Sequence, residues 1–239
     1  VSVLKIRIKF TKQGTMKFIG HLDLMRYFQK VMRKADVDIR YSEGFSPHQI
    51  MSFAAPLGVG LTSRGEYVDI EVNSTDTSQV MLDRINQALV EGITVTEYKK
   101  LPDNAGNAMS LVAAADYAVM FRGEYMPDNW DDFAAGLQEF VTKDEILIMK
   151  KTKKGEKEVN IRPMIYSLSV VDKQILMQIA TGSAANLKPD MVIRAYADSI
   201  GFCLAEFALL IEREETYADL GTDGKRKLVS LAQLGEDIE

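Results

Sequence analysis

Residues able to move a proton or grip a phosphate crowd into one part of this chain. YSEGFSPHQIMSF, from Tyr41 to Phe53, sets a tyrosine, a carboxylate, a glycine, a proline and an imidazole within eight residues. His21, Glu43 and His48 are the groups that could serve there as acid or base. The two histidines stand 27 positions apart, with neither HxxxH nor HxH, so no metal site is expected. GxxxxGK[ST], GxSxG and a helix-opening GxGxxG are all absent. LGVGLTSRG, from Leu57, reads as a turn, and Asp69 and Glu71 alternate along a strand, which puts them on one face, read as solvated.

A binding surface fits these residues better than a reaction centre. Arg26, Lys30 and Arg33 recur at helical spacing and form a basic stripe suited to phosphates. Tyr41, Phe45 and Tyr67 offer rings for stacking on bases, and Ser42, Glu43 and His48 offer hydrogen bonds to polar edges. Lys150, Lys151, Lys153, Lys154 and Lys157 read as a solvated hairpin tip. TGSAANLKP, from Thr181, runs small residues into a helix start at which Lys188 and backbone N–H groups could meet an anion.

The elements that must carry these groups follow from periodicity. LKIRIKF alternates as a strand, with Leu4, Ile6, Ile8 and Phe10 on one face. HLDLMRYFQKVMRKADV has apolar residues at helical spacing, GEYVDIEV and ITVTEYKKL alternate as strands, and TSQVMLDRINQALVEG between them is a second helix. Strand, helix, strand, strand, helix, strand is the ferredoxin-like order. PDNAGNAMS, from Pro102, punctuates the chain, and the same order then recurs with one extra strand. The expectation is an α+β fold of two tandem ferredoxin-like (βαββαβ) domains with antiparallel sheets, at 1–101 and 110–215. A polar tail, 216–239, ends in a short helix or disorder.

Composition narrows the setting. The chain has 239 residues, 46% hydrophobic and 26% charged, in the range of soluble globular proteins. It lacks an apolar run long enough for a membrane span, and its first residues read as a strand and not as a leader. The one cysteine, Cys203, excludes an internal disulfide or a multi-cysteine cluster within this chain, and a cytoplasmic setting is expected. A net charge of −5 conceals an asymmetry: residues 1–50 total +6 and residues 51–239 total −11.

The blocks KFTK-G, HLDLMR, YSEGF-P, Ser52-Phe53, PLGVG and GEY-D-E, together with NIRPMI and TGSAANLKP later on, resemble the bacterial DUF2344, or radical SAM-linked, family. The resemblance adds Arg162 and Lys188 to the binding set of Arg26, Lys30, Arg33, Tyr41, Ser42, Glu43, Phe45 and His48. It implies an accessory module, RNA-binding or substrate-presenting, working with a cobalamin-binding radical SAM protein on tRNA or ribosomal RNA. The chain lacks the cysteine triplet of a radical SAM cluster, so it is not expected to be that enzyme, and no cofactor of its own is expected. The alternatives are an enzyme acting on RNA or a nucleotide through His21, Glu43 or His48, and a protein–protein scaffold.

Overall fold

A computed structural model describes residues 3–152 and 155–239; Lys153 and Lys154 of the expected hairpin tip lie outside the described residues. The chain divides into two compact units, one formed by Val1–Ala113 with Arg213–Glu239 and the other by Ala114–Glu212. In order come β1 (Leu4–Lys12), α1 (His21–Lys34), β2 (Met51–Phe53), β3 (Thr62–Val72), α2 (Ser78–Ala88), β4 (Ile93–Lys100) and α3 (Ala108–Leu111). They are followed by β5 (Val112–Phe121), α4 (Trp130–Phe140), β6 (Leu147–Thr152), β7 (Gly155–Asn160), β8 (Ile165–Val171), β9 (Gln174–Ala180), α5 (Pro189–Ser199), β10 (Leu209–Asp219) and β11 (Leu228–Ser230). The protein is therefore mixed α and β, and every strand pairing with a stated register is antiparallel.

In the first unit β4, β1 and β3 lie side by side, and β2 and β10 both pair with β3. Period-two alternation divides β1 between two environments. Ile6, Ile8 and Phe10 face a core with Leu24, Phe28 and Met32 of α1 and Met81 and Ile85 of α2, where Phe10 and Phe28 meet at 4.7 Å between ring centroids. The other face carries charge and is nevertheless buried. Arg7 is 1% exposed; its Nε and Nη2 donate to the two carboxylate oxygens of Asp69 at 2.7 and 2.9 Å, and its Nη1 donates to Leu231 O at 3.1 Å. Lys9 donates to Glu215 at 2.7 Å, and the Tyr67 hydroxyl donates to the other oxygen of that carboxylate, also at 2.7 Å. Asp69 is thus held by an arginine and not by solvent, which corrects the solvated reading of that face.

Two segments lie over this charged face. In the loop after β4, Asp103 O and Ala105 O accept from Lys5 Nζ, and Ala108 N donates to Asp69 at 2.9 Å. At the C-terminus Leu231 is fully buried, Lys100 and Glu236 exchange two backbone hydrogen bonds, and Ile238 N donates to Ser78 Oγ. Residues 216–239, expected as a polar tail, include β11 and a 3-10 turn at Leu231–Leu234 and belong to the first unit. Gly65 is required where β10 runs beside β3: a Cβ there would lie 2.6 Å from Glu215 Cα.

In the second unit the neighbour order is β10, β5, β9, β8, and α4 and α5 share a core with β5 and β9 through Phe133, Leu137, Val192 and Tyr196. β6 and β7 form a separate two-stranded ribbon. The charged stretch GEKEVN, which holds Lys157 of the lysine-rich run read as a hairpin tip, is a strand, and Arg162–Met164 is a 3-10 turn. The last long strand starts at Leu209.

Removing one partner of a buried, hydrogen-bonded ion pair leaves an uncompensated charge and costs about 3–5 kcal/mol. Urea unfolding of Arg7→Met should show a loss of that size, and Arg7→Met with Asp69→Leu should recover most of it. Burial also raises the phenols of Tyr67 and Tyr98, the latter to about 12, with Glu215 adding to the effect at Tyr67. A raised folded-state pKa contributes stability that is complete below the unfolded value of about 10 and is lost as pH climbs through the folded one. Alkaline titration should find these two tyrosines ionising late, together with loss of the fold.

Candidate functional site

The segment Tyr41–His48 leaves the globule as a pinned loop. Its root is a bridge between Tyr41 and Gln49, continued by a hydrogen bond from Ile50 N to Arg40 O at 2.9 Å. One step further out Ser42 N donates to His48 O at 2.8 Å, His48 N donates to Ser42 Oγ at 3.1 Å, and Ser42 Oγ lies 2.8 Å from His48 Nδ1. Gly44 turns the tip at φ +109°, a conformation that favours glycine. The Phe45 side chain at that tip is wholly exposed. A phenylalanine in this position buries nothing of its own, so the segment presents an aromatic ring to the surroundings.

The root is tied to α1. Gln49 is buried, and its Nε2 donates to Gln29 O at 3.2 Å and to Tyr41 OH at 3.3 Å, while its Oε1 has no partner among the described residues. Arg26, Lys30 and Arg33 are all exposed on α1, and their spacing of four and three residues keeps them on one side of it. Among the described residues Arg26 makes only an exposed contact with Asp23, at 3.4 Å, of a kind that contributes little and yields readily. Arg33 and Tyr41 line the same shallow depression, which Asp36 and Asp38 also border. Hydrogen bonds from Asn73 and Ser74 hold the Asp38 carboxyl below the usual carboxylate range. The basic excess of the first fifty residues is smaller at the surface than in the sequence, because Arg7, Lys9 and Arg40 are paired with Asp69, Glu215 and Glu71.

The three groups able to act as acid or base have separate partners. His21 packs edge-on against Phe53 at 5.3 Å between ring centroids, His48 is engaged by Ser42, and Glu43 is exposed, 4.0 Å from Arg40. No hydrogen bond or ion pair among the described residues joins any two of them. Tyr67 is buried in its network with Glu215 and Ser230 and does not offer a stacking ring. Arg162 and Lys188 belong to the other unit: Arg162 donates to Ile165 O at 2.9 Å, and Lys188 is exposed at the N-cap of α5. Among the described residues no group of three or more His, Cys, Asp or Glu could hold a metal ion, and no helix is long and apolar enough to cross a membrane.

Sequence reasoning passed over Gln49 and Ser52. A glutamine beside a proline and a histidine carries no pattern, and its burial follows from packing under the loop root. Ser52 faces Asn107, 55 residues away, with an oxygen–oxygen distance of 3.2 Å.

The molecule is thus a mixed α and β chain with mostly antiparallel strands whose first unit projects a clamped loop beside a basic helix face. It belongs to the family described as an uncharacterized protein conserved in bacteria, DUF2344, whose model matches residues 5–189. No curated protein matches it. Among solved structures it is similar to a chain of a Cbf5-Nop10-Gar1 complex, with 10% identity, 88% of this chain and 48% of that one covered, and a TM-score of 0.45. An unknown protein from Galdieria sulphuraria is similar at 8% identity, with 89% and 98% covered and a TM-score of 0.27. This chain spans about half the length of the Cbf5-complex chain it matches, and at these TM-scores neither likeness carries an argument.

The clamp has a direct consequence. His48→Ala removes one side of it, an exposed interaction contributing about 0.5–1.5 kcal/mol. Chymotrypsin should cleave after Phe45 faster in this variant, while the urea midpoint of the whole chain hardly moves. An unchanged cleavage rate contradicts the clamp.

Proposed function

We propose that this chain is a nucleic-acid-binding module that holds RNA for a partner enzyme, with the Tyr41–His48 loop and the exposed face of α1 as its contact surface. The observation that carries this reading is the wholly exposed Phe45 ring on a loop whose root is fixed to a helix bearing Arg26, Lys30 and Arg33. Charge along the helix supplies affinity for phosphates, and an aromatic held away from the core supplies a stacking platform. Tyr41, half exposed beside Arg33, adds a second ring. Ser42 and His48 act in this scheme as the clamp that aims Phe45, and Glu43 at the tip accepts hydrogen bonds from base edges.

The same reading assigns each unit a ferredoxin-like arrangement. The chain order βαββαβ of β1 to β4 with neighbours β4, β1, β3, β2 supports it. So does the order β10, β5, β9, β8 in the second unit, where the β6–β7 ribbon is an insertion. The partner enzyme is a cobalamin-binding radical SAM protein in the cytoplasm, and the RNA is tRNA or ribosomal RNA; the family resemblance supports this, and the chain supplies no cluster ligands of its own. On the second unit, Arg162 and Lys188 are proposed as RNA contacts of their own.

Fluorescence anisotropy with a labelled single-stranded RNA over a salt series tests the reading. Each phosphate contact contributes about 0.7 to the slope of log K against log salt. Arg26→Ala with Lys30→Ala and Arg33→Ala should therefore flatten the slope by about 2. Phe45→Ala should weaken binding by about 1–3 kcal/mol with the slope unchanged. No binding by the native chain at low salt contradicts the proposal.

A further inference from the structure

Directly after the loop the chain enters β2, and beside β2 the first unit has a depression of about 210 Å³. At ~30 Å³ per water this is the space of about seven waters, less than a drug-sized pocket and enough for one small ring system. Ile50, Leu101 and Ala105 supply apolar wall. The polar groups divide into those that are satisfied and those with capacity left. Asp69 is satisfied: its two oxygens accept three N–H bonds, two from Arg7 and one from Ala108 N. Lys5 places two of its three protons on the carbonyls of Asp103 and Ala105 and, among the described residues, makes no ion pair. Glu71 accepts from Arg40 at 3.2 Å on one oxygen only, and Asn107 Nδ2 and Ser52 Oγ are engaged with each other at 3.2 Å.

The spare set thus comprises a donor each on Lys5 and Asn107, an acceptor on Glu71, and one lone pair on Ser52 Oγ, which donates to Asn107 Oδ1 and accepts from Asn107 Nδ2. Donors and acceptors around apolar wall, with one positive and one negative charge, match a flat heteroaromatic ring that both donates and accepts along its edge. We propose that this depression is a nucleobase subsite, which takes one unstacked base of the RNA chain that the loop contacts. The inference rests on the RNA-binding reading and adds to it where sequence discrimination arises. Phosphates on α1 and stacking on Phe45 do not distinguish bases. Lys5 and Asn107 meet ring carbonyl and ring nitrogen acceptors, and Glu71 meets an exocyclic amine or ring N–H.

Two variants keep the local fold and alter the edge chemistry. Ser52→Val preserves a strand-forming side chain and removes the hydroxyl, and Asn107→Asp preserves shape, including the acceptor for Met109 N, and removes the donor. Anisotropy with single-stranded RNAs that differ at one central base should show the native chain preferring one base by about 5- to 150-fold, the range of a good edge contact. Either variant should bring the preferred RNA down to the level of the others. Binding without base preference, or a preference that survives both variants, overturns the subsite while leaving the RNA-binding reading intact. Should the native chain bind no RNA, the subsite is judged with the four free nucleosides by amide chemical-shift changes. Shifts at Ser52 and Asn107 that the variants abolish support it. No shifts, or shifts with free amino acids in place of nucleosides, overturn it.

Discussion

The bond between Arg7 and Asp69 joins two strands at their centre and fixes what can happen on either side of the sheet. A guanidinium this deeply buried persists only if its donors are matched. Asp69 takes two of them, and Leu231 O takes another from the C-terminal segment. The carboxylate in turn accepts Ala108 N, which brings the start of α3 onto the same face. One ion pair thereby ties together β1, β3, the segment after β4 and the residues after β11. Around it Lys9, Tyr67, Glu215 and Ser230 close a second network through direct hydrogen bonds.

That closure decides which surfaces of the first unit are accessible. Single-stranded RNA is often read on the open face of a four-stranded sheet, through aromatic residues on its central strands. Here that face holds Arg7 and Tyr67, both almost inaccessible under residues 102–111 and 228–238. Exposed aromatic surface is found instead at Phe45 and Tyr41 on the loop and at Phe18, and exposed positive charge on α1. The depression beside β2 opens where the covering segment 105–107 meets β2 and β3, so the strap that closes the sheet face also makes one wall of the proposed base pocket.

Much of the framework was legible because it is local. The alternation of LKIRIKF gives β1 its apolar face, and helical spacing gives α1 the buried set Leu24, Phe28, Val31 and Met32. Thr77, the first residue of TSQV, caps α2, and Pro189 opens α5. Features that depend on distant partners were not legible. Arg7 and Asp69 are 62 residues apart, and nothing in GEYVDIEV distinguishes a carboxylate facing water from one facing an arginine. GEKEVN has a single apolar residue, Val159, after an exposed run from Gly155 to Glu158, so the alternation that marks a strand is missing. The last residues look like a tail because their ties run to partners distant in sequence, Ser230 to Tyr67, Asp237 to Lys99 and Ile238 N to Ser78, with Leu231 and Ala232 buried. The clamp between Ser42 and His48 was visible only as nearby polar residues, since its meaning lies in the turn that brings them together.

The central claim is that RNA meets the loop and α1 and does not reach the charged sheet face. Photocrosslinking of the native chain to single-stranded RNA, followed by peptide mapping, tests it most directly. The account predicts crosslinked peptides containing Phe45 or Tyr41, with others from the exposed side of α1. Crosslinks concentrated on Tyr67 and β10, or their complete absence at low salt, would contradict it.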